Sequence, residues 1–124
     1  MSATILIADD EPNIVISLEF LMKREGYQVL VARDGQETID AIVKHRPDLV
    51  LLDVMMPLKT GFEVCEEVRA REDIRDTRLL MLTAKGRDTD VAKGLALGAN
   101  AYMTKPFATK ELIEKIRSLL APQL

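Results

Sequence analysis

The segment Leu49-Val50-Leu51-Leu52-Asp53 places four consecutive apolar residues directly before a carboxylate. The apolar residues are continuous rather than alternating with polar ones, which is typical of a strand buried on both faces of a sheet. Similar runs occupy residues 5–8, 29–32 and 79–82, and a weaker run occupies residues 101–103. The sequence therefore predicts five strands, most of them fully buried.

The segments between these runs are amphipathic and predict helices. Pro12 suits the first position of the first helix, and Gly26 and Gly98 suit the ends of the first and fourth helices. The predicted helices cover residues 12–25, a segment opened by Asp34 and Glu37 in a capping-box pattern, a segment after Gly61, residues 88–97 and residues 110–120.

Strand and helix alternate five times, and this order defines the fold class. A strand followed by a helix and another strand requires a parallel sheet, with helices on both of its faces. No linker, low-complexity segment or second domain interrupts the pattern. We therefore predict one α/β domain with five βα units, doubly wound, over residues 1–124.

Composition limits the possible partners and metal ligands. The chain has 124 residues, a formal net charge of −3, one histidine and one cysteine, Cys65. The negative charge disfavours nucleic acid and anionic membranes as partners, and no apolar run approaches the roughly 20 residues of a membrane span. A single cysteine excludes an internal disulfide and favours a reducing cytoplasm. Any metal site must be built from oxygen ligands.

Polar residues stand where the predicted strands end. Asp9-Asp10 follow the first strand, Asp53 ends the third, Thr83 follows the fourth, and Lys105 follows the fifth. Ligands of open α/β sheets bind at the carboxyl ends of the strands, so these side chains are expected on one edge. Three converging carboxylates repel one another unless a cation such as Mg²⁺ is bound. With Lys105 and Thr83, they are the components that phosphoryl transfer needs.

Each of these residues also has an ordinary structural explanation. Asp9 and Asp10 could cap the first helix, because acidic residues are favourable at helix N-termini. Asp53 and Thr83 could simply end their strands, and Lys105 could be a surface charge. The functional hypothesis depends on finding all of them together, each at the carboxyl end of its own strand.

The whole sequence resembles a response regulator receiver domain. Such a domain has a flavodoxin-like fold with the sheet order 2-1-3-4-5, and the resemblance implies that residues 1–124 form one such domain. The motifs that carry the resemblance are Ile7-Ala8-Asp9-Asp10-Glu11-Pro12, Leu52-Asp53-Val54-Met55-Met56-Pro57 with Gly61, Leu82-Thr83-Ala84, and 98–107, which includes Thr104-Lys105-Pro106-Phe107.

The resemblance implies a phosphoacceptor and a metal site. Asp53 would accept a phosphoryl group from a phosphohistidine. Asp10 would bind Mg²⁺, or Mn²⁺ in its place, directly, and Asp9 would bind it mostly through water. Asp53 and the backbone carbonyl of Met55 would complete the protein ligands.

The resemblance also assigns the residues that bind the phosphoryl group and transmit the change. Lys105 would pair with a phosphoryl oxygen, Thr83 would donate a hydrogen bond to another, and Ala84 would leave room and offer its N–H. The Lys105-Pro106 peptide would be cis. Movement of Thr83 would let Tyr102 swing inward and alter the surface of helix four, strand five and helix five. Met55 and Lys85 would influence the lifetime of the acyl phosphate.

The implied partners are a sensor histidine kinase or a phosphotransfer protein, and a downstream effector or fused output domain. The domain itself would bind neither nucleic acid nor membrane, and would be a monomer or a weak phosphorylation-dependent dimer. It would not be an enzyme beyond its own phosphorylation and dephosphorylation. Two alternatives stay open: an interaction module that works without phosphorylation, and a small Mg²⁺-dependent hydrolase with an aspartyl-phosphate intermediate. Met55 stands where haloacid-dehalogenase-like hydrolases have a second Asp.

Overall fold

The computed structural model describes residues 3–84 and 88–121. Within them, five strands alternate with five helices, as the sequence predicts. The elements are β1 (Thr4–Ala8), α1 (Pro12–Arg24), β2 (Gln28–Ala32), α2 (Gly35–His45), β3 (Leu49–Asp53), α3 (Gly61–Ala70), β4 (Arg78–Ala84), α4 (Asp88–Ala96), β5 (Ala101–Lys105) and α5 (Thr109–Leu120).

The strands form one parallel sheet in the order β2-β1-β3-β4-β5, which confirms the flavodoxin-like arrangement. Two separate apolar clusters cover its faces. One contains buried residues of α1 and α5, and the other contains buried residues of α2 and α3 together with Leu97 and Ala99 that follow α4. The strand order reverses between β1 and β3, so the loops after these strands diverge and leave a crevice at their carboxyl ends.

The observed burial agrees with the predicted full burial for the three central strands, but it differs for one strand at the edge of the sheet. Every residue of β3 is buried, and so are the central residues of β1 and β4. The prediction of full burial was wrong for β2, where Val29, Leu30 and Val31 are only partly buried. The reason is topological, because β2 pairs with β1 alone and lies at the edge of the sheet.

The helix boundaries follow from local chemistry. Pro12 begins α1, and Asp34 caps α2 by accepting a hydrogen bond from the Glu37 N–H at 2.7 Å. A complete capping box occurs at α3 instead: Thr60 Oγ1 accepts from the Glu63 N–H, and Glu63 Oε1 accepts from the Thr60 N–H. The Thr-x-x-Glu spacing was present in the sequence and could have predicted it. Among the described residues, no helix is long and apolar enough to cross a bilayer.

The loop between β3 and α3 depends on a close approach of two backbone segments at Gly61. Its N–H donates to the Val54 carbonyl at 2.8 Å, and a Cβ at position 61 would lie 2.5 Å from the Asp53 carbonyl oxygen. At Gly94 in α4, a Cβ would instead lie 2.6 Å from the sulfur of Met81. The obstacle is backbone in the first case and a flexible side chain in the second.

We therefore expect Gly61→Ala to lower the free energy of unfolding by about 2 kcal/mol or more, because the backbone around Asp53 must shift. Gly94→Ala is the matched control, since the Met81 thioether can move and alanine favours a helix. Urea denaturation of both variants measures the difference. Equal losses would contradict the assignment of Gly61 as the position that fixes this loop.

Candidate functional site

The register of the central strands brings the predicted carboxylates together. Ala8 of β1 pairs with Leu52 of β3, so the residues that follow, Asp9 and Asp53, lie side by side. Carboxylate oxygens of Asp9, Asp10 and Asp53 lie within 4.8 Å of one another. Asp9 is fully buried, Asp53 is 8% exposed, and Asp10 faces solvent. The sequence could place these residues at one edge, but only the register makes them neighbours.

Lys105 reaches this cluster from the end of β5. Its Nζ lies 2.9 Å from Asp9 Oδ2 and 3.3 Å from Asp53 Oδ1, so one ammonium bridges two carboxylates. The other oxygen of Asp9, Oδ1, accepts a hydrogen bond from the Glu11 N–H at 2.9 Å. Both oxygens of Asp9 are therefore engaged within the protein, whereas the exposed Asp10 faces the opening. The peptide bond Lys105-Pro106 is cis, as expected.

The charges of the cluster perturb its titration. Burial, followed by the negative charge of Asp9, raises the pKa of Asp53 to about 6, although the positive charge of Lys105 and its hydrogen bond act in the opposite direction. For Lys105, burial lowers the pKa, but the hydrogen bond to Asp9 and the charges of the two carboxylates outweigh it, so the pKa is raised. The ammonium is thus held in its charged form, while Asp53 is a carboxylate that the fold alone stabilises poorly.

Thr83 contributes a polar atom that lacks a partner. It is the penultimate residue of β4 and is 1% exposed. Its Oγ1 has no hydrogen-bond partner among the described residues. A buried hydroxyl without a partner is costly, and it is rare in native proteins unless something binds it. Ala84, the next residue, lines the opening above Asp53.

The opening is a cavity of about 570 Å³ bounded by the carboxyl ends of β3, β4 and β5 and by the segment that follows β1. Besides Asp10, Asp53 and Lys105, two acidic residues line it to which no role was assigned from the sequence: Glu11 and Asp90. Asp90 lies in the first turn of α4. An acidic residue at the start of the helix that follows β4 was the available signal, because that helix begins at the same edge of the sheet.

The remaining predicted residues lie around this opening or on the adjacent face. The side chain of Met55 is 62% exposed at the rim. Tyr102 lies on β5, is 43% exposed, and lines a groove of about 740 Å³ together with Leu95 and Phe107. Lys85, which was expected to influence the site, lies outside the described residues.

The cluster is chemically suited to a hard divalent cation. Three carboxylates and one ammonium leave two formal negative charges uncompensated when all three carboxylates are ionised. Mg²⁺ prefers oxygen ligands and binds through a few carboxylates plus water or phosphate oxygens. Asp10, Asp53 and the Met55 carbonyl are the groups that could bind it directly, with Asp9 behind them. The donor set therefore fits the ion that the sequence predicts.

Comparison with known proteins gives the same family as the sequence motifs. The sequence profile of the response regulator receiver domain matches residues 5–117. The fold matches a protein from Chloroflexus aurantiacus J-10-fl, assigned as a response regulator, with a TM-score of 0.95 and 34% identity over 98% of this chain and 100% of that one. It also matches the chemotaxis response regulator CheY4 of Vibrio cholerae, with a TM-score of 0.90 and 32% identity over 97% and 100%.

A third structure bears on the metal. The receiver domain of the sensor histidine kinase PA1611 from Pseudomonas aeruginosa PAO1 has a magnesium ion coordinated in its active site cleft. It matches with a TM-score of 0.89 and 28% identity, over 97% of this chain and 98% of that one. The chain belongs to the response regulator receiver domain family. It is thus a domain of two-component signalling, with an acidic pocket compatible with magnesium and aspartate phosphorylation.

The raised pKa of Asp53 predicts a measurable effect on stability. Below about pH 4 the carboxyl is protonated in both folded and unfolded protein, and above about pH 6 it is charged in both. Stability is therefore lost as the pH rises between these values. We expect Asp53→Asn to stabilise the metal-free protein at pH 7 by up to about 3 kcal/mol, with the gain disappearing near pH 4.

Urea denaturation in the presence of a chelator, at several pH values, measures this gain. Asp76→Asn, at an exposed site far from the cluster, is the control and should change stability little at either pH. A destabilised Asp53→Asn variant at pH 7 would mean that Lys105 outweighs burial and Asp9, contrary to the direction given above.

Proposed function

We propose that the domain accepts a phosphoryl group on Asp53 from a phosphohistidine and thereby switches the surface formed by α4, β5 and α5. The observation that carries this proposal is the cluster of Asp9, Asp10 and Asp53, of which Asp9 and Asp53 contact Lys105. The Thr83 hydroxyl, at the end of the neighbouring strand, has no hydrogen-bond partner among the described residues. Asp53 is both accessible through the opening and poorly stabilised as a bare carboxylate, as a nucleophile should be.

In the proposed reaction, Asp53 attacks phosphorus along the opening of the cavity. The bond from Asp53 oxygen to phosphorus forms as the bond from the donor's imidazole nitrogen to phosphorus breaks. The other nitrogen of the donor ring carries a proton, so the ring leaves as neutral imidazole. The group is lost by hydrolysis: water attacks phosphorus, the bond between phosphorus and the Asp53 oxygen breaks, and the products are the free carboxylate and inorganic phosphate, which takes up the protons of the water. When bound, Mg²⁺ would neutralise charge on the carboxylates and the phosphoryl oxygens. Asp10, Asp53 and the Met55 carbonyl would hold it.

Lys105, Thr83 and Ala84 would bind the phosphoryl oxygens. An ammonium has three donors, and two of those on Lys105 face Asp9 and Asp53, so a third is available for a phosphoryl oxygen. Thr83 Oγ1 could donate to a second oxygen, which would give this buried hydroxyl a partner. Ala84 leaves space and carries a backbone N–H at the rim.

The output would be a change of the α4–β5–α5 surface. Tyr102 is partly exposed in the groove on that face, and it lies two residues before Thr104, the register partner of Thr83. Movement of Thr83 toward a phosphoryl group would leave space into which the Tyr102 ring can turn. A sensor histidine kinase or phosphotransfer protein would be the donor. An effector protein or fused output domain would recognise the switched surface.

The proposal also covers the extent of the domain and the compartment in which it acts. Residues 1–124 are expected to form one receiver domain, of which the family profile matches 5–117. The domain is expected to act in the cytoplasm and to transform no substrate other than its own phosphoryl group. The single cysteine favours a reducing compartment.

Incubation with acetyl phosphate and Mg²⁺ should add one phosphoryl group to the intact protein, because this donor places a good leaving group on phosphorus. Asp53→Asn should abolish the adduct, and a chelator should prevent it. Intact-mass spectrometry measures it, with Asp40→Asn as a control carboxyl variant that keeps the adduct. A folded, metal-loaded protein without adduct would favour an interaction module that works without phosphorylation. Rapid turnover of unrelated phosphate esters would favour the hydrolase.

The role of Lys105 can be separated from metal binding. We expect Lys105→Ala to bind Mg²⁺ nearly as well as the unmodified protein, because the lysine is not a ligand, yet to lose the response of the α4–β5–α5 surface to phosphorylation. NMR shifts of backbone amides on β5, recorded with and without acetyl phosphate, measure the response. Lys110→Ala, an exposed lysine of α5, is the control. An unchanged response in Lys105→Ala would refute the assigned role.

A further inference from the structure

The C-terminal end of α4 is fastened by one side chain that comes from another helix. Arg69, near the end of α3, donates from Nε to the Gly98 carbonyl at 2.9 Å and from Nη2 to Asn100 Oδ1 at 2.8 Å. Its Nη1 donates to the Arg75 and Thr77 carbonyls at 2.8 and 2.7 Å. One guanidinium thus joins the loop before β4 to the loop before β5.

Asn100 extends this network into the sheet. Its Oδ1 also accepts from the Leu79 N–H at 2.8 Å, and its own N–H donates to the Leu79 carbonyl at 3.0 Å. The amide side chain therefore ties Arg69 to the beginning of β4, immediately before β5 starts at Ala101. The amino-terminal ends of β4 and β5 are therefore joined to each other at the end of the sheet opposite Asp53.

Arg69 lies directly against the turn that ends α4. Gly98 has a φ of +110°, its N–H donates to the Leu95 carbonyl, and the Ala99 N–H donates to the Gly94 carbonyl. This is a Schellman arrangement that satisfies the last carbonyls of the helix. A Cβ at position 98 would lie 3.0 Å from Arg69 Cγ, so the arginine stem occupies the space that glycine leaves. A cation at a helix C-terminus also interacts favourably with the helix dipole.

Other contacts of α4 lie along its length and at its N-terminal end. Gly94 is its one buried residue, and it faces the flexible thioether of Met81. Lys93 Nζ lies 4.6 Å from the ring centre of Phe62 on α3. The first-turn residues Asp88 and Thr89 are exposed. Asp90 of the first turn lines the opening above Asp53, so the N-terminal end of α4 lies at the site, whereas the Arg69 network lies at the other end of the helix.

We propose that Arg69 and Asn100 form a fixed pivot, so that switching tilts α4 about its C-terminal end instead of translating the whole helix. This inference rests on the proposed function and adds the path of the movement. Thr77, which the pivot binds, and Thr83, at the site, are at opposite ends of β4, roughly 20 Å apart at the rise of a strand. A displacement at the site would then decrease along α4 towards Gly98.

Amide hydrogen exchange measured by NMR on the full chain in Mg²⁺, with and without beryllofluoride as a phosphoryl mimic, tests the pivot. In the unmodified protein we expect the exchange of Ala92 and Lys93, whose helical acceptors lie in the first turn of α4, to change on addition of the mimic. The exchange of Gly98 and Ala99 should stay the same. An equal change at both ends of α4 would overturn the pivot.

Variants test the residues themselves. Arg69→Met keeps the apolar stem against Gly98 but removes four hydrogen bonds, so exchange of Gly98 and Ala99 should rise about tenfold or more. Arg75→Met, an exposed arginine of the neighbouring loop, is the control and should leave it unchanged. If Arg69→Met does not fold, Asn100→Ala removes the side-chain oxygen that accepts from Arg69 Nη2 and leaves the arginine in place. Asn100→Asp then restores an oxygen acceptor at that position.

The outcomes separate this inference from the proposed function. Exchange changes around Asp53 with a uniform change along α4 would overturn the pivot and leave the phosphoacceptor intact. Equal effects of Arg69→Met and Arg75→Met, or of Asn100→Ala and Asn100→Asp, would also overturn the pivot. No response to beryllofluoride anywhere in the protein would overturn both.

Discussion

Electrostatic repulsion among the carboxylates at the carboxyl edge of the sheet is the constraint on which the site depends. Asp9 is fully buried beside Asp53, and one lysine contacts both of them. That lysine compensates part of the charge and leaves the pKa of Asp53 raised. A cluster of this kind is compatible with a divalent cation, which would supply the missing positive charge.

The fold makes this cluster possible by separating stability from function. Two apolar clusters on opposite faces of the sheet stabilise the domain, and both include residues of the buried central strands. None of the predicted site side chains belongs to either cluster. Asp9, Asp53 and Thr83 are the buried polar residues at the end of those strands, where the hydrophobic layers stop. The backbone approach at Gly61 and the capping box at Thr60 then fix the loop beside Asp53.

The two ends of the sheet have different roles. At the site, groups are left incompletely satisfied, as the Thr83 hydroxyl and the Asp53 carboxylate are. At the opposite edge, Arg69 and Asn100 satisfy several backbone groups at once. A helix that is held at one end and meets the site at the other can convert a small local change at the site into a tilt.

The sequence by itself determined the class of fold and most members of the site. Apolar runs at strand length, helical periodicity between them and polar residues after each run are local properties, so β3 with Asp53 could be recognised directly. Sequence could not determine that β2 is an edge strand with partly buried residues, because burial depends on which strands pair. The bridge from Lys105 to Asp9 joins residues 96 positions apart and arises only from strand register. Only the tertiary structure shows the hydrogen bonds of Arg69, because its acceptors include backbone carbonyls of other segments, and neighbouring residues in the sequence do not indicate which carbonyls will lie within reach.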